Sequence, residues 1–364
     1  MITVGIIFGG KSAEHEISLQ SAQHVYHALD PEKYKPLLIG IDKAGRWFLG
    51  TEQELLLNAD EPSLIQLNKS ADPLLIETTQ TGSPINLRRI RAGTTIDVMF
   101  PILHGPFGED GTIQGLLKTA DIPFVGSGVL GSAVGMDKDL MKRLLRDAGI
   151  PIGKFLAIRS HEAVPAFSQM AALLGLPFFV KPANMGSSVG IKKIHNEYEY
   201  QAGITEAFDY DHKIILEEYI KGREIECSVL GNEEPVASVP GEVLCSSEFY
   251  SYEAKYLNQG GTVLAIPAHL PLETVERIQA MAIKTFQTLC AEGLSRVDFF
   301  LKPDGALLVN EINTMPGFTK NSMYPKLFEA SGISYSTLLD QLISLAIRRF
   351  EKEKRLKTNY TFFE

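Results

Sequence analysis

Short apolar runs alternate with amphipathic stretches through the first third of the chain. The apolar runs have the length of buried strands, and the stretches between them place hydrophobic residues at helical spacing. The predicted elements are strand Thr3–Phe8, helix Glu16–Leu29, strand Pro36–Ile41, strand Ile96–Leu103, helix Thr112–Ala120 and strand Pro123–Val125. Such alternation indicates a parallel sheet covered by helices, so we expect an α/β domain over residues 1–136. The weakly patterned residues 50–95 are expected to form a surface insertion.

The pattern changes after residue 136. An amphipathic helix is expected over 137–149, where Gly149 and Pro151 end it. The elements expected next are strand Leu176–Pro182, a glycine–serine turn at Gly186–Gly190, strand Val189–Ile194, helix Tyr198–Phe208 and strand Lys213–Tyr219. We therefore expect a small α+β domain over residues 137–221.

Strands dominate the last part of the chain. The predicted strands are Ile225–Leu230, Val236–Val243, Thr262–Pro267, Arg296–Leu301 and Leu307–Ile312, and the predicted helices are Leu272–Leu289 and Ser336–Phe350. We expect a C-terminal domain over residues 222–364. The chain as a whole is then a three-domain protein of mixed α/β and α+β class.

The composition fits such a folded protein and argues against several other classes. Hydrophobic residues make up 45% and charged residues 22% of the 364 residues, which is close to the globular average. The formal net charge of −9 argues against a general nucleic-acid binder. The three cysteines form no CxxC pair and suit a reducing compartment. No apolar run reaches about 18 residues and no signal peptide is evident, so we expect a cytoplasmic protein that does not span a membrane.

Two glycine-rich motifs are poor candidates for nucleotide binding. Residues 5–12 match GxxxxGK[ST], but Ile, Ile and Phe occupy three of the four spacer positions, where a phosphate loop must be free of the core. Residues 126–131 match GxGxxG, but no second strand ending in an acid follows at the spacing of a dinucleotide site. A close turn between a strand and a helix explains the second motif better.

Two neighbouring strands near the C-terminus carry oxygen ligands. Arg296 and Asp298 share one face of the first strand, and Glu311 and Asn313 share one face of the second, which follows a hairpin turn. Two carboxylates and an amide oxygen that face together suit a hard cation such as Mg²⁺, with Mn²⁺ as an alternative. The pattern therefore predicts a metal site at Asp298, Glu311 and Asn313.

Positive charges and a glycine–serine turn point to a phosphate ligand. Lys181 ends an apolar strand and needs an anionic partner, and the turn that includes Ser187 and Ser188 offers backbone N–H groups and hydroxyls. Lys138 begins a helix, and Lys255 lies in an aromatic loop. Acidic and backbone groups suited to an adenine amino group and ribose hydroxyls follow at Glu217, Glu218, Ile220 and Glu224.

Seven motifs together resemble the D-alanine–D-alanine ligases of the ATP-grasp superfamily. They occur in family order and span nearly the whole chain. The motifs are GGKSAEHEIS at 9–18, LHGPFGEDGTIQG at 103–115, FVGSGVLGSAVGMDK at 124–138, FVKPANMGSSVG at 179–190, YSYEAKY at 250–256, SRVDFF at 295–300 and NEINTMPGFT at 310–319.

The resemblance implies an ATP-grasp fold with ATP between the central and C-terminal domains. The carboxylate of a first D-alanine attacks the γ-phosphate, and the amine of a second D-alanine attacks the resulting acylphosphate. Lys138, Lys181 and Lys255 would neutralise phosphate charge. Two Mg²⁺ ions would lie on Asp298, Glu311 and Asn313.

The resemblance also implies roles in binding and acyl transfer. Arg296 and the backbone N–H of Gly317 would form an oxyanion hole. Glu14 would hold the ammonium group of the first D-alanine and link with Ser187 and Tyr256. The remaining substrate contacts would come from His104, near the first substrate, and Ser322, at the carboxylate of the second.

Two alternatives remain open at this point. One is an ATP-grasp ligase with another acceptor such as D-lactate; the resemblance links Tyr at position 256 to an amine acceptor and Phe to a hydroxy acid. The other is a nucleotide-binding regulator without turnover, against which the complete set of metal ligands and Arg296 argue. A homodimer is what the resemblance implies for assembly.

Overall fold

The computed structural model describes most of the chain. The described residues are 1–59, 61, 64–70, 89–90, 94–245 and 262–357. The strands are β1 Ile2–Gly9, β2 Tyr34–Ile41, β3 Trp47–Gly50, β4 Leu56–Leu57, β5 Gln66–Leu67, β6 Arg89–Ile90, β7 Thr94–Thr95, β8 Val98–Ile102, β9 Phe155–Arg159, β10 Phe178–Pro182, β11 Lys192–Ile194, β12 Lys213–Glu218, β13 Arg223–Gly231, β14 Val236–Ala237, β15 Gly241–Cys245, β16 Thr262–Ala265, β17 Gly293–Leu301 and β18 Leu307–Asn313. The helices are α1 His15–Ala28, α2 Glu52–Leu55, α3 Thr112–Thr119, α4 Val129–Met136, α5 Lys138–Asp147, α6 Phe167–Leu174, α7 Glu197–Tyr210, α8 Leu272–Thr288, α9 Met323–Ala330 and α10 Tyr335–Glu353.

The first sheet has the order β3-β2-β1-β8, and β1 pairs in parallel with both β2 and β8. Phe8 packs with Leu19 of α1 on one face, while Ile7 packs with Leu117 of α3 on the other. Strands β2 and β8 lie on opposite sides of β1, so the chain connections to them run in opposite directions. At such a point the carboxyl ends of the neighbouring parallel strands β1 and β8 border a crevice. The segments that carry Glu14 and His104 begin at this edge.

The central sheet is antiparallel, with the order β11-β10-β12-β9. Phe178 and Val180 of β10 face the core and pack with Tyr200 of α7. Strand alternation turns Lys181 to the opposite face, and pairing of Phe179 with Glu217 puts that acid on the same face as Lys181. The two charged side chains therefore lie together, away from the core.

The third sheet is also antiparallel, with the order β16-β15-β13-β17-β18. Helix α8 covers one face, where its Phe286 packs in one cluster with Ile225 and Val297. The alternate residues of β13 and β17 face the other way, and they include Glu226 and Asp298, which are directly paired. One face of this sheet is core, and the other is polar around Glu226 and Asp298, while Leu230 and Leu294 at its end join the core of the first sheet.

A β-bulge interrupts the pairing of β17 with β18. Asp298 pairs with Glu311, but Phe299 pairs with Val309, so Asn310 is an extra residue on β18. Val309 is buried in the core, and strict alternation would put Glu311 on that same face. The extra residue reverses the alternation and turns Glu311 to the polar face, an effect that bulges often have near functional sites.

Several predicted elements differ in the structure. Pro123–Val125 is a single bridge from Phe124 to Met99 and not a strand, and Val236–Val243 divides into β14 and β15. The prediction of a surface insertion over 50–95 was wrong for part of its described residues, because Leu55 and Leu67 are buried in the core of the first sheet. The short elements β3, β9, α6 and α9 were missed.

The two glycine-rich motifs have structural explanations. Gly5 lies inside β1, and the three apolar residues after it are fully buried. Gly131 of α4 lies so close to the backbone of Cys290 that a Cβ would collide with its carbonyl oxygen. Both glycines serve packing.

Within the described ranges no helix is long and apolar enough to cross a membrane. The predicted domain boundaries at 136/137 and 221/222 remain a prediction.

Candidate active site

A cavity of about 460 Å³ opens between the polar faces of the central and third sheets. Its size is in the range of small-molecule and cofactor sites. Ten residues singled out from the sequence line it: Lys138, Lys181, Ser187, Ser188, Glu217, Glu218, Ile220, Glu224, Asp298 and Glu311. The structure thus brings predicted phosphate and nucleotide groups together with two of the three predicted metal ligands, and Asn313 does not line the cavity.

A buried cluster of lysines surrounds Glu217 in this cavity. Lys142 Nζ lies 2.6 Å from Glu217 Oε1, and Lys181 Nζ contacts Glu217 Oε2. Burial alone would raise the pKa of Glu217, but the two lysines lower it to about 2. Lys138 Nζ donates to the carbonyl of Met185 at 2.6 Å, and burial lowers its pKa. Glu217 is therefore ionised and offsets part of the charge that a polyphosphate would otherwise meet.

Lys142 is a component of the site that the sequence interpretation missed. It is 2% exposed, and its Nζ also donates to the carbonyl of Asn310, the bulged residue of β18, at 3.1 Å. The signal was present in the sequence, since Lys142 lies four residues after Lys138 and therefore on the same face of α5.

Glu217→Gln is expected to lower the free energy of unfolding by about 3–5 kcal/mol, because it removes the carboxylate shared by two buried lysines. The lowered pKa means that the stabilisation is present above the ordinary value of 4.5 and is lost as the pH falls towards about 2. Urea unfolding without nucleotide at pH 7 and at pH 3.5 measures both effects.

Glu218→Gln is the matched control, because Glu218 is the next residue, is only half-buried and accepts a bond from the Lys154 backbone N–H at 2.7 Å. We expect it to change the unfolding free energy by less than about 1 kcal/mol. Equal effects of the two substitutions would contradict the role of Glu217.

Three carboxylates lie side by side across the polar face of the third sheet. Glu226, Asp298 and Glu311 are consecutive register partners on β13, β17 and β18, and Arg296 and Asn313 form the next row. Arg296 donates from Nε to Asp298 Oδ1 at 2.7 Å and from Nη2 to Asp298 Oδ2 at 2.8 Å. The arginine is held in a fixed orientation at the edge of the acidic row.

The metal prediction can be tested against the polar atoms of this face. Asn313 Oδ1 is buried and has no hydrogen-bond partner among the described residues. An orphaned oxygen beside two carboxylates fits a hard cation, which would supply the missing contact. No group of three or more His, Cys, Asp or Glu side chains in the described ranges is arranged for a metal, so such a site depends on the asparagine.

The first sheet reaches the cavity through Glu14. The Ser187 hydroxyl donates to Glu14 Oε1, which joins the segment before α1 to the turn after β10. Ser187 and Ser188 both have positive φ, of 50° and 62°. A Cβ at Gly186 would lie 3.2 Å from Glu14 Oε2, so the glycine permits this close approach.

His104 is buried and holds the segment before α9. Its Nδ1 donates to the carbonyl of Met315 at 3.0 Å, and its Nε2 lies 3.4 Å from the Ser21 hydroxyl. Burial lowers the pKa of His104. Ser21 also accepts from the backbone N–H of Phe318 at 3.2 Å. The observed contacts of His104 are thus to the chain around Gly317.

Glu109 was missed by the sequence interpretation and fastens the same segment. Its Oε2 accepts from Gly105 N–H at 2.6 Å, and its Oε1 accepts from Met315 N–H at 3.2 Å. Burial, and then the nearby Glu14, raise the pKa of Glu109 to about 8. The acid joins the loop after β8 to the loop after β18. Its place in the GEDG motif was the available signal.

Gly317 and Ser322 both lie in the chain segment that leads into α9. Ser322 is the residue before the helix, and its hydroxyl accepts from Thr319 N–H at 3.0 Å. A Cβ at Gly317 would lie 2.9 Å from the Ser322 hydroxyl oxygen, so the two are adjacent. Lys255 and Tyr256, the other predicted site residues, lie outside the described residues.

Comparison with known proteins gives a consistent result. The family model for the N-terminus of D-Ala–D-Ala ligases matches residues 3–127, and the model for their C-terminus matches residues 144–344. A D-alanine–D-alanine ligase from Oceanobacillus iheyensis is 51% identical over 98% of this chain and 98% of its own.

Two solved structures share the fold over nearly the full length. The D-alanine–D-alanine ligase from Coxiella burnetii superposes with a TM-score of 0.82 at 38% identity, covering 97% of this chain and 96% of its own. The VanG D-Ala:D-Ser ligase from Enterococcus faecalis superposes with a TM-score of 0.81 at 36% identity, covering 95% and 99%. The predicted ATP-grasp fold is confirmed, and the fold alone does not distinguish one acceptor from another.

Proposed function

The chain belongs to the D-alanine–D-alanine ligase family of ATP-grasp enzymes, and we propose from its geometry which residues carry the ligation. The reaction joins two D-alanines to D-alanyl-D-alanine for cell-wall synthesis and consumes ATP. The observation that carries the assignment of roles is the cavity between the central and third sheets, which places buried lysines opposite a row of acids.

In this proposal Lys138 and Lys181 bind the phosphates from the central side of the cavity. Both ammonium groups are buried, so an anionic ligand improves their electrostatic balance. Lys255 would add a third positive charge. The cavity wall at Glu217, Glu218, Ile220 and Glu224 would receive adenine and ribose.

Asp298, Glu311 and Asn313 would hold the divalent cation, and we propose two Mg²⁺ ions there, with Mn²⁺ as a substitute. Such ions neutralise charge on the phosphates when bound. Lys138 Nζ lies 3.8 Å from Glu311 Oε2, so the same carboxylate faces both the lysine and the ligand space.

Glu14, Arg296 and the Gly317 N–H would act on the amino acids. Glu14 would bind the ammonium of the first D-alanine, whose carboxylate oxygen attacks the γ-phosphorus with release of ADP. The amine of the second D-alanine then attacks the carbonyl carbon, a tetrahedral intermediate forms, and phosphate leaves. Arg296 and Gly317 would donate to the oxyanion.

The remaining assignments concern positioning. We propose that Ser322, at the start of α9, binds the carboxylate of the second D-alanine, where the helix N-terminus favours an anion. His104 would support the first-substrate side through its bond to Met315. Ser187 orients Glu14 in this scheme.

The direct test is an acceptor assay. Purified protein with ATP, Mg²⁺ and D-alanine should release ADP and form D-alanyl-D-alanine. D-Lactate and D-serine are then added as competing acceptors, because the fold also occurs in a D-Ala:D-Ser ligase. Mainly ester, or mainly the D-serine dipeptide, at equal acceptor concentrations would contradict the D-alanine assignment.

Tyr256→Phe is expected to weaken dipeptide synthesis by about ten- to a hundredfold, the value of one hydrogen bond to a charged group. Only the neutral amine attacks the acylphosphate, and at pH 6 that form is scarce while D-lactate is unaffected. The ester-to-dipeptide ratio of the variant should therefore rise most at pH 6. An unchanged ratio from pH 6 to 9 would show that Tyr256 does not select the acceptor.

We also propose a cytoplasmic homodimer. The support is the family resemblance and the need for cytoplasmic ATP. Light scattering after size-exclusion chromatography measures the mass against the 40.1 kDa of one chain.

A further inference from the structure

Arg296 has a second carboxylate partner that the reaction scheme does not use. Glu226 Oε2 on β13 lies 2.9 Å from Arg296 Nε, the same nitrogen that donates to Asp298. Glu226 is 8% exposed, and it lines the cavity between the sheets. Since the Nε–H is donated to Asp298, the contact with Glu226 is an ion pair, and two largely buried opposite charges at this distance restrict each other's position.

Asp298 and Glu226, the two carboxylate partners of Arg296, differ in their other roles. Asp298 accepts both Nε and Nη2 of the arginine, and it is also a proposed ligand of the cation. A carboxylate that serves both groups holds the arginine less firmly when the cation is bound. Glu226 lies on the neighbouring strand, opposite Asp298, and its charge attracts the guanidinium of Arg296 whichever way Asp298 is engaged.

We propose that Glu226 is a positioning residue for Arg296, and that it keeps the guanidinium aligned for the acyl-transfer step. The proposal rests on the function assigned to Arg296 above. The contacts with Asp298 use one N–H each of Nε and Nη2, so Nη1 keeps both of its N–H groups for the oxyanion. Rotation of the guanidinium group would misplace that donor, although the positive charge would remain.

Without this alignment, we expect acylphosphate formation to become uncoupled from dipeptide formation. Acylphosphate formation needs the phosphate groups, whereas attack by the amine needs the aligned arginine. When amine attack slows, water attacks the waiting acylphosphate and gives back D-alanine and phosphate. The net reaction of this side path is hydrolysis of ATP to ADP and phosphate, so ADP is released without dipeptide.

The experiment measures ADP and D-alanyl-D-alanine in the same sample of full-length enzyme. Glu226→Gln should raise the ADP-to-dipeptide ratio at least about threefold and lower dipeptide turnover about tenfold, with KM for ATP within about twofold. The loss is smaller than the roughly 10²–10³-fold of a removed oxyanion donor, because the donor is displaced and not removed. Glu226→Asp, which keeps the charge, should restore part of the coupling. A wild-type ratio in Glu226→Gln would overturn the proposal.

Glu242→Gln is the charge-matched control. Glu242 lines the same cavity and is as buried as Glu226, but it binds Arg223, with Oε1 2.7 Å from Arg223 Nε. Its substitution should leave the ratio unchanged. A ratio raised equally in both variants would mean that cavity charge, and not the contact with Arg296, is responsible, which would also overturn the proposal.

A double substitution separates action through Arg296 from a direct effect. If Glu226 acts through the arginine, Glu226→Gln should add little to the ratio already raised by Arg296→Lys. Independent, multiplying effects would contradict the proposal. Thermal unfolding checks that each variant is folded, and Glu226→Asp carries the test if Glu226→Gln is not. Failure of the wild type to form any dipeptide would instead reject the proposed function.

Discussion

Replacement of Arg296 by alanine is expected to lower turnover by about 10²–10³-fold, because a lost oxyanion donor acts on the transition state. ATP affinity should change much less. The structure adds a second consequence, since Glu226, which is buried, and Asp298, which is largely buried, both lose this cation. We therefore expect a loss of about 3–5 kcal/mol of stability as well. Steady-state kinetics at saturating ATP, and urea unfolding of the same sample, measure the two effects.

Arg296→Lys separates the loss of turnover from the loss of stability, because lysine keeps the positive charge but lacks the planar guanidinium group. It should retain most of the stability and still lose turnover. Arg223→Ala is the matched control, since Arg223 lines the same cavity and is paired with Glu242; it should keep turnover within about tenfold. A collapse of ATP binding with intact turnover of bound substrate would show that Arg296 is a nucleotide ligand instead.

Glu311→Gln is expected to lower turnover at least about 10²-fold with the fold intact. The substitution keeps the size of the side chain and removes one charge from a cation site that must offset the charge of ATP. The magnesium concentration for half-maximal rate should rise at the same time. Initial rates over a series of Mg²⁺ concentrations at fixed ATP measure both.

Glu242→Gln serves as the control for charge, because it removes one carboxylate from the same cavity away from the metal row. Its magnesium dependence should match that of the wild type. A Glu311→Gln enzyme that kept more than about a tenth of the wild-type rate would remove Glu311 from the metal site.

The sequence predicted the fold where hydrophobic periodicity was strong. The strands of the first sheet and the helices around them follow from apolar runs of the right length, and β13, β17 and β18 follow from alternation. It failed at Phe124, where an apolar residue forms only one bridge, because pairing is a tertiary event that a short run does not reveal. The prediction also failed at Leu55 and Leu67, because the residues that bury them lie far away in the sequence.

The sequence identified the candidate site residues that belong to a recognisable motif, and it missed those that act by holding another site residue in place. Lys181, Glu217 and Asp298 come from recognisable patterns and line one cavity. Lys142 and Glu226 lie on elements that the sequence did reveal, but the reason for their burial is a partner on another strand. That information is absent from any single stretch of sequence and appears only when the sheets are assembled.

The bulge at Asn310 makes the register of β18 a condition for the chemistry of the site. The sequence says that position 311 is an acid, but the bulged conformation of Asn310 decides whether that acid faces the ligand cavity or the core. A pairing without the bulge, in which Asn310 took the regular position opposite Asp298, would leave every functional residue present and point Glu311 and Asn313 into the core. A design judged only by matching residue types would pass inspection with that pairing, so designs of this segment must be judged on strand register as well as on residue identity.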